Sequence, residues 1–271
     1  MTSKENERKY ALTDETQEVA GHTLHRIVAV RRFGCVKKGE KGGWIEKESN
    51  LSHEGNCWVY GDAEVFAEAK VSDNAKVQDN AAVFSRALVY GDAAVFSRAL
   101  VYGDANVFGS AQVYGNSQVY SMAEVYGNTQ VYGNTQVYGN ARVYGNARVY
   151  GEAEVYGNAQ VYGNTMVYDN AAIHGQAKAC GIVALHGNVE LCGTADVGTD
   201  GDYIVFKNWW SSGRYFTWTR SNNMWRVGCF YGTGDELIRK AYEDSERSGR
   251  EYERIVQYVN SVRSEKLGVR S

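Results

Sequence analysis

From Val59 onward an apolar residue returns at every sixth position, through Val65, Val71, Val77 and Val83 to Ile173, Ala179, Leu185, Leu191 and Val197: 24 positions without a slip. Four residues after each stands a small side chain, as in Ala63, Ala69, Ser117, Thr129 and Ala177, widening to Val183 and Val189. Between them lies a pair such as Gly115-Asn116 or Gly103-Asp104. Cβ atoms alternate across a strand, so in the unit small-x-Val-Tyr the first and third side chains share one face. That face points inward. Gly takes positive φ freely and Asn and Asp tolerate it better than most residues, so the pair reads as a corner. One hexad is thus one side and one corner. Such short strands cannot bury an apolar face alone, and successive turns of chain must stack.

The register resembles that of the hexapeptide-repeat superfamily. The resemblance implies a left-handed parallel β-helix with three hexads per coil, although right-handed crossovers are the general rule. With 18 residues per coil the repeats make between seven and eight coils, about 37 Å long at a strand spacing of about 4.8 Å. Tyr120 and Tyr138 are then expected to stack, and Tyr120 and Tyr126 to lie on different sides. The run Gly43-Trp44-Ile45, Asn50-Leu51-Ser52 and Gly55-Asn56-Cys57-Trp58-Val59 is similar to the lead-in of bacterial and phage hexapeptide-repeat proteins sometimes labelled acyltransferases.

The fold expected is therefore mainly β: a tail and short β cap over residues 1–50, a three-sided parallel β-helix over 51–198, and a small α+β module over 199–271. In the last part, Tyr203 to Phe206, Arg214 to Arg220 and Met224 to Tyr231 alternate around the turns Ser211-Ser212-Gly213 and Ser221-Asn222-Asn223, which predicts an antiparallel sheet. Thr233 with Glu236, and Ser248 with Glu251, fit capping boxes opening helices of about 234–247 and 249–263.

Composition narrows the function. Net charge is −3, and no segment carries the basic excess that phosphate neutralisation needs, so nucleic acid is not an expected partner. No apolar run reaches about 18 residues, so membrane insertion is not expected either. Proline, which removes a ladder donor, is absent. The five cysteines, Cys35, Cys57, Cys180, Cys192 and Cys229, are odd in number and show no CxxC spacing. This argues against a disulfide framework and a zinc site, and for a reducing cytoplasm. Neither a metal nor a cofactor is expected.

Acyltransferases of the resembled superfamily use a His base near a groove between subunits, and usually a loop inserted in the coil. From Val59 to Val197 the register admits no such loop. His174 and Cys192, 18 apart, are the weak catalytic candidates, since a Cys-His pair can serve as nucleophile and base. The more ordinary reading is that an outward aromatic column ends in smaller residues. That column, Phe66, Phe84, Tyr102, Tyr120, Tyr138 and Tyr156, is either a stabilising ladder or a recognition surface. Leu88 and Leu100 beside it, and Trp209, Trp210, Trp218 and Trp225 in the C-terminal module, complete the candidate interaction surface. The leading expectation is a non-catalytic structural or interaction protein, phage-encoded and acting on a host protein or as a scaffold. It would engage a protein partner or a second copy of itself. An acyl-CoA-dependent acyltransferase and a carbohydrate or small-ligand binder are the alternatives.

Overall fold

A computed structural model describes residues 8–209 and 213–266. The predicted turn at Ser211-Ser212 and the candidate Trp210 lie outside the described residues. Two-residue strands β4 (Trp58–Val59) to β27 (Asp196–Val197) recur at every hexad. Each pairs in parallel with the strand 18 residues on, as in Val119↔Val137 and Val125↔Val143, and the strands fall into three sheets. The Val column and nearly all the small inward residues are fully buried. This stack is one continuous core.

The stack holds about nine turns, more than the seven to eight coils that the hexads alone predict. Trp44–Ile45 of β3 (Lys41–Ile45) pairs in parallel with Glu64–Val65, and Leu51 bridges to Val71. The offset there is 20 residues instead of 18. Two extra residues before Val59 break the sixfold count without breaking the stack. Ahead of β3, β1 (Tyr10–Val19) and β2 (His22–Ala29) form an antiparallel hairpin that extends one sheet. The first of these strands escapes sequence reading because Thr13 to Glu18 carries no apolar alternation.

Corner chemistry also differs from expectation. Only the first corner residue is left-handed, as Gly115 at φ 76° shows, and a Cβ there would lie 2.9 Å from the backbone nitrogen of Gly133 one coil on. The second residue, Asn or Asp, has ordinary φ. Its side chain instead runs along the stack: the Asn128 amide donates to Asn146 (3.3 Å), and Asn146 to Asn164 (3.1 Å).

Every coil donates N–H groups to carbonyls of the next, as Met166 does to Val183, Ala172 to Val189 and Lys178 to Ala195. Parallel pairing also returns a bond from each strand's Val N–H to the preceding coil, so the stack is only partly polar. Carbonyls predominate among the open groups at its start and N–H groups at its end, where the open Ala184 carbonyl accepts the Tyr203 hydroxyl at 2.8 Å. Both ends are closed by matching chemistry. At the start, the Lys9 ammonium donates to the Cys57 carbonyl (2.8 Å) and the Tyr10 hydroxyl to that of Leu51 (2.7 Å). Lys9 is fully buried, and desolvation lowers its pKa. At the end, three equivalent N–H groups, one per face, meet side-chain oxygens: Ala184 donates to Asp200 (3.2 Å), Glu190 to Thr217 (3.2 Å) and Asp196 to Ser221 (2.7 Å). Oxygen acceptors at an N–H terminus do here what an N-cap does for a helix.

Those last oxygens belong to the C-terminal module. Its antiparallel sheet has four strands, β28 (Tyr203–Lys207), β29 (Tyr215–Thr219), β30 (Met224–Val227) and β31 (Phe230–Gly232), because a turn at Gly228, φ 55°, splits the third predicted stretch. Helix α1 (Gly234–Asp244) opens on the predicted Thr233/Glu236 capping box. Helix α2 (Glu246–Lys266) starts earlier than predicted. Ser245, whose hydroxyl accepts the Ser248 N–H at 3.1 Å, takes the place assigned to Ser248. Leu237, Ala241, Tyr252, Val256 and Val259 pack on Phe216, Trp218 and Trp225 as a separate small core.

Candidate functional surface

The residue after each inward Val points outward, and the coil brings every eighteenth one into register. Ring centroids of Phe84, Tyr102, Tyr120, Tyr138 and Tyr156 follow one another at 4.9 Å with planes within 5°. Parallel columns run from Tyr90 to Tyr162 and from Phe96 to His186. Several hydroxyls reach the residue 16 further on, just before the next coil's Val: Tyr102 donates to Gln118 (3.2 Å), Tyr120 to Gln136 (3.0 Å) and Tyr144 to Gln160 (3.3 Å). Phe66 and Phe84, which carry no hydroxyl, have Ala82 and Leu100 at that position. Burial raises the phenol pKa of Tyr102, Tyr120, Tyr126 and Tyr156, and with burial and Glu154 beside it Tyr138 is pushed up to about 12.

His174 shares both the stacking and the contact 16 residues on. Its ring stacks on Tyr156 at 4.7 Å, and its Nε2 faces the Glu190 carboxylate, 16 residues on, at 2.9 Å. It replaces a tyrosine in the ladder. Arg226 of the C-terminal sheet meets the same oxygen at 2.7 Å. Burial alone would raise the Glu190 pKa, but hydrogen bonds from His174 and Arg226 more than offset it and hold the carboxyl below its usual range. Cys192 is buried, and desolvation pushes its thiol up to about 11, so it is protonated at neutral pH. The two weak catalytic candidates share a column, yet the imidazole is committed to Glu190 and the sulfur is a poor nucleophile. Nothing in the linear sequence singles out Glu190 or Arg226, the partners that define this cluster. The 16-residue relation exposes Glu190 once the coil is known; Arg226 has no such signal.

The candidate interaction residues divide. Phe66 is 6% exposed, packed with Leu24 and Trp44 under the N-terminal hairpin, and so leaves the surface. Trp218 and Trp225 are core residues of the C-terminal module, which removes them as outward anchors, whereas Trp209 is 83% exposed. Leu88 stands on a different sheet from Leu100, Phe84 and Tyr102, because 12 residues separate it from Leu100 and same-face neighbours are 18 apart. The apolar stretch read along the chain is therefore two surfaces. What remains together on one face is Phe84, Leu100, Tyr102, Tyr120, Tyr138 and Tyr156. Among the described residues no group of three or more His, Cys, Asp or Glu side chains could hold a metal ion. No helix among them is long and apolar enough to cross a membrane.

The repeat itself has counterparts. A family model described as "YdcK Beta solenoid repeat" matches residues 135–151, 141–157 and 159–175. Each match begins at an inward small residue, Thr135, Ala141 or Ala159, and spans nearly one coil. A protein of Escherichia coli (strain K12) named "Uncharacterized acetyltransferase YdcK" is 38% identical over 61 residues, covering 20% of this chain and 19% of that protein. The chain thus aligns with about a fifth of the relative's length. With its coil, its hexad register and these two likenesses, the chain fits a hexapeptide-repeat-like β-solenoid protein.

Proposed function

We propose that the protein is a non-catalytic interaction scaffold, whose working surface is the face carrying Phe84, Leu100, Tyr102, Tyr120, Tyr138 and Tyr156. One observation carries this reading: the rings of that face are locked in register, Tyr102 between Phe84 and Tyr120 at 4.9 Å on either side. A surface whose rotamers are already fixed loses little entropy when a partner covers it, and tyrosine is enriched at such contacts. The partner is a protein. The free thiols of Cys35 and Cys229, both exposed, favour a reducing compartment such as the cytoplasm.

The relative's name makes acyl transfer the second reading. It is disfavoured at His174 and Cys192 by the protonated thiol and the Glu190-bound imidazole. Two variants test the choice. Changing Phe84, Leu100 and Tyr102 together to Ser is expected to abolish partner binding or self-association in light scattering while the circular dichroism of the coil persists. Changing His174 and Cys192 together to Ala is expected to leave binding intact. Acetyl-CoA turnover by the purified chain that disappears in the second variant would overturn the proposal.

A further inference from the structure

We infer that the recess where the Tyr90 column begins is a binding site for a small planar aromatic anion. This inference is independent of the proposed scaffold face, which lies on another sheet. The column running from Tyr162 back through Tyr144, Tyr126 and Phe108 ends at Tyr90, stacked on Phe108 at 4.9 Å and 3°. The next two positions in register toward the N-terminus are Ser72 and Ser52, aligned by the parallel bridge between Leu51 and Val71. Two rungs are missing, and the outer face of the Tyr90 ring looks into a recess of about 390 Å³ that those serines line. That size suits a small ligand.

The lining says what would fill it. Leu51 and Leu88 are apolar walls, and Leu88 is 37% exposed. By the 16-residue relation, the tip of a ring at rung 72 would rest over Leu88, which accepts no hydrogen bond, as Phe84 rests over Leu100. The Lys70 ammonium on the rim has no ion-pair partner among the described residues, whereas the one acidic lining residue, Glu48, is already paired with Arg8 at 3.2 Å. An unfilled stacking position beside an uncompensated cation selects an aromatic carboxylate or phosphate over a neutral or saturated ring.

The test titrates the full chain with 2-naphthoate, its neutral isostere 2-naphthamide and the saturated cyclohexanecarboxylate, read by saturation-transfer NMR. Naphthoate is expected to bind saturably with ring protons shifted upfield, naphthamide about tenfold more weakly, and the saturated acid not detectably. Ser72→Phe, which supplies the missing rung, should abolish naphthoate binding. Tyr90→Ser should do the same and Tyr90→Phe restore it, which separates loss of the platform from a general loss of fold. Lys70→Gln should weaken naphthoate to the level of naphthamide. Absence of naphthoate binding at millimolar concentration overturns the inference, as does binding unchanged in Ser72→Phe.

Discussion

Thr217→Val isolates one of the three end caps. Thr217 is 2% exposed, and its Oγ1 accepts the Glu190 N–H at 3.2 Å. Valine keeps the volume and removes only the acceptor. Elsewhere on this face the N–H finds a carbonyl one coil on, as that of Ala172 finds Val189, but beyond Glu190 there is no further coil. The orphaned donor should cost about 1–3 kcal/mol. At about 1.4 kcal/mol per factor of ten, amide exchange at Glu190 should accelerate by about 5- to 140-fold. Chemical denaturation should show a loss of similar size in docking of the C-terminal module. Thr217→Ser, which retains the oxygen, should recover most of it. A Thr217→Val protein within about 0.5 kcal/mol of the parent, with unchanged Glu190 exchange, would mean that water serves as well as the hydroxyl and would refute the capping argument.

Other outcomes follow from the same geometry. The inward Thr135 hydroxyl is buried without a partner, unlike Thr165, which donates to the Tyr162 carbonyl at 2.7 Å; Thr135→Val should therefore stabilise the coil by about 1 kcal/mol in thermal melts. Tyr120→Ser removes two stacked contacts and should cost about 1–3 kcal/mol, whereas Tyr120→Phe loses only the Gln136 bond, about 0.5–1.5 kcal/mol. Because the Glu190 carboxyl is held below its usual range in the folded state, its contribution is present above the unfolded value near 4.5 and is lost as pH falls through the lower folded value. Trp218 and Trp225 fluorescence should report loosening of the module in that acidic window, and Glu190→Gln should remove the transition.

How much of this is legible in the sequence depends on the range of the interaction. The hexad register fixes the coil, its inward Val column and the stacking of residues 18 apart, because each of these is set by backbone period and alternation, which are local. The ring ladder and the placement of His174 in it follow by counting. The 20-residue first turn does not, since its two extra residues erase the period while the backbone pairing survives them. Nor could composition show that Phe66, Trp218 and Trp225 are covered: large aromatics suit a core or an interface equally well, and only the hairpin and helices packed over them decide. The caps lie furthest from sequence reasoning. Lys9 meets Cys57 across 48 residues and Thr217 meets Glu190 across 27, with no period linking either pair. What selects them is the set of backbone groups that the finished stack leaves open, mostly carbonyls at one end and mostly N–H groups at the other, and those open ends exist only once the chain has wound.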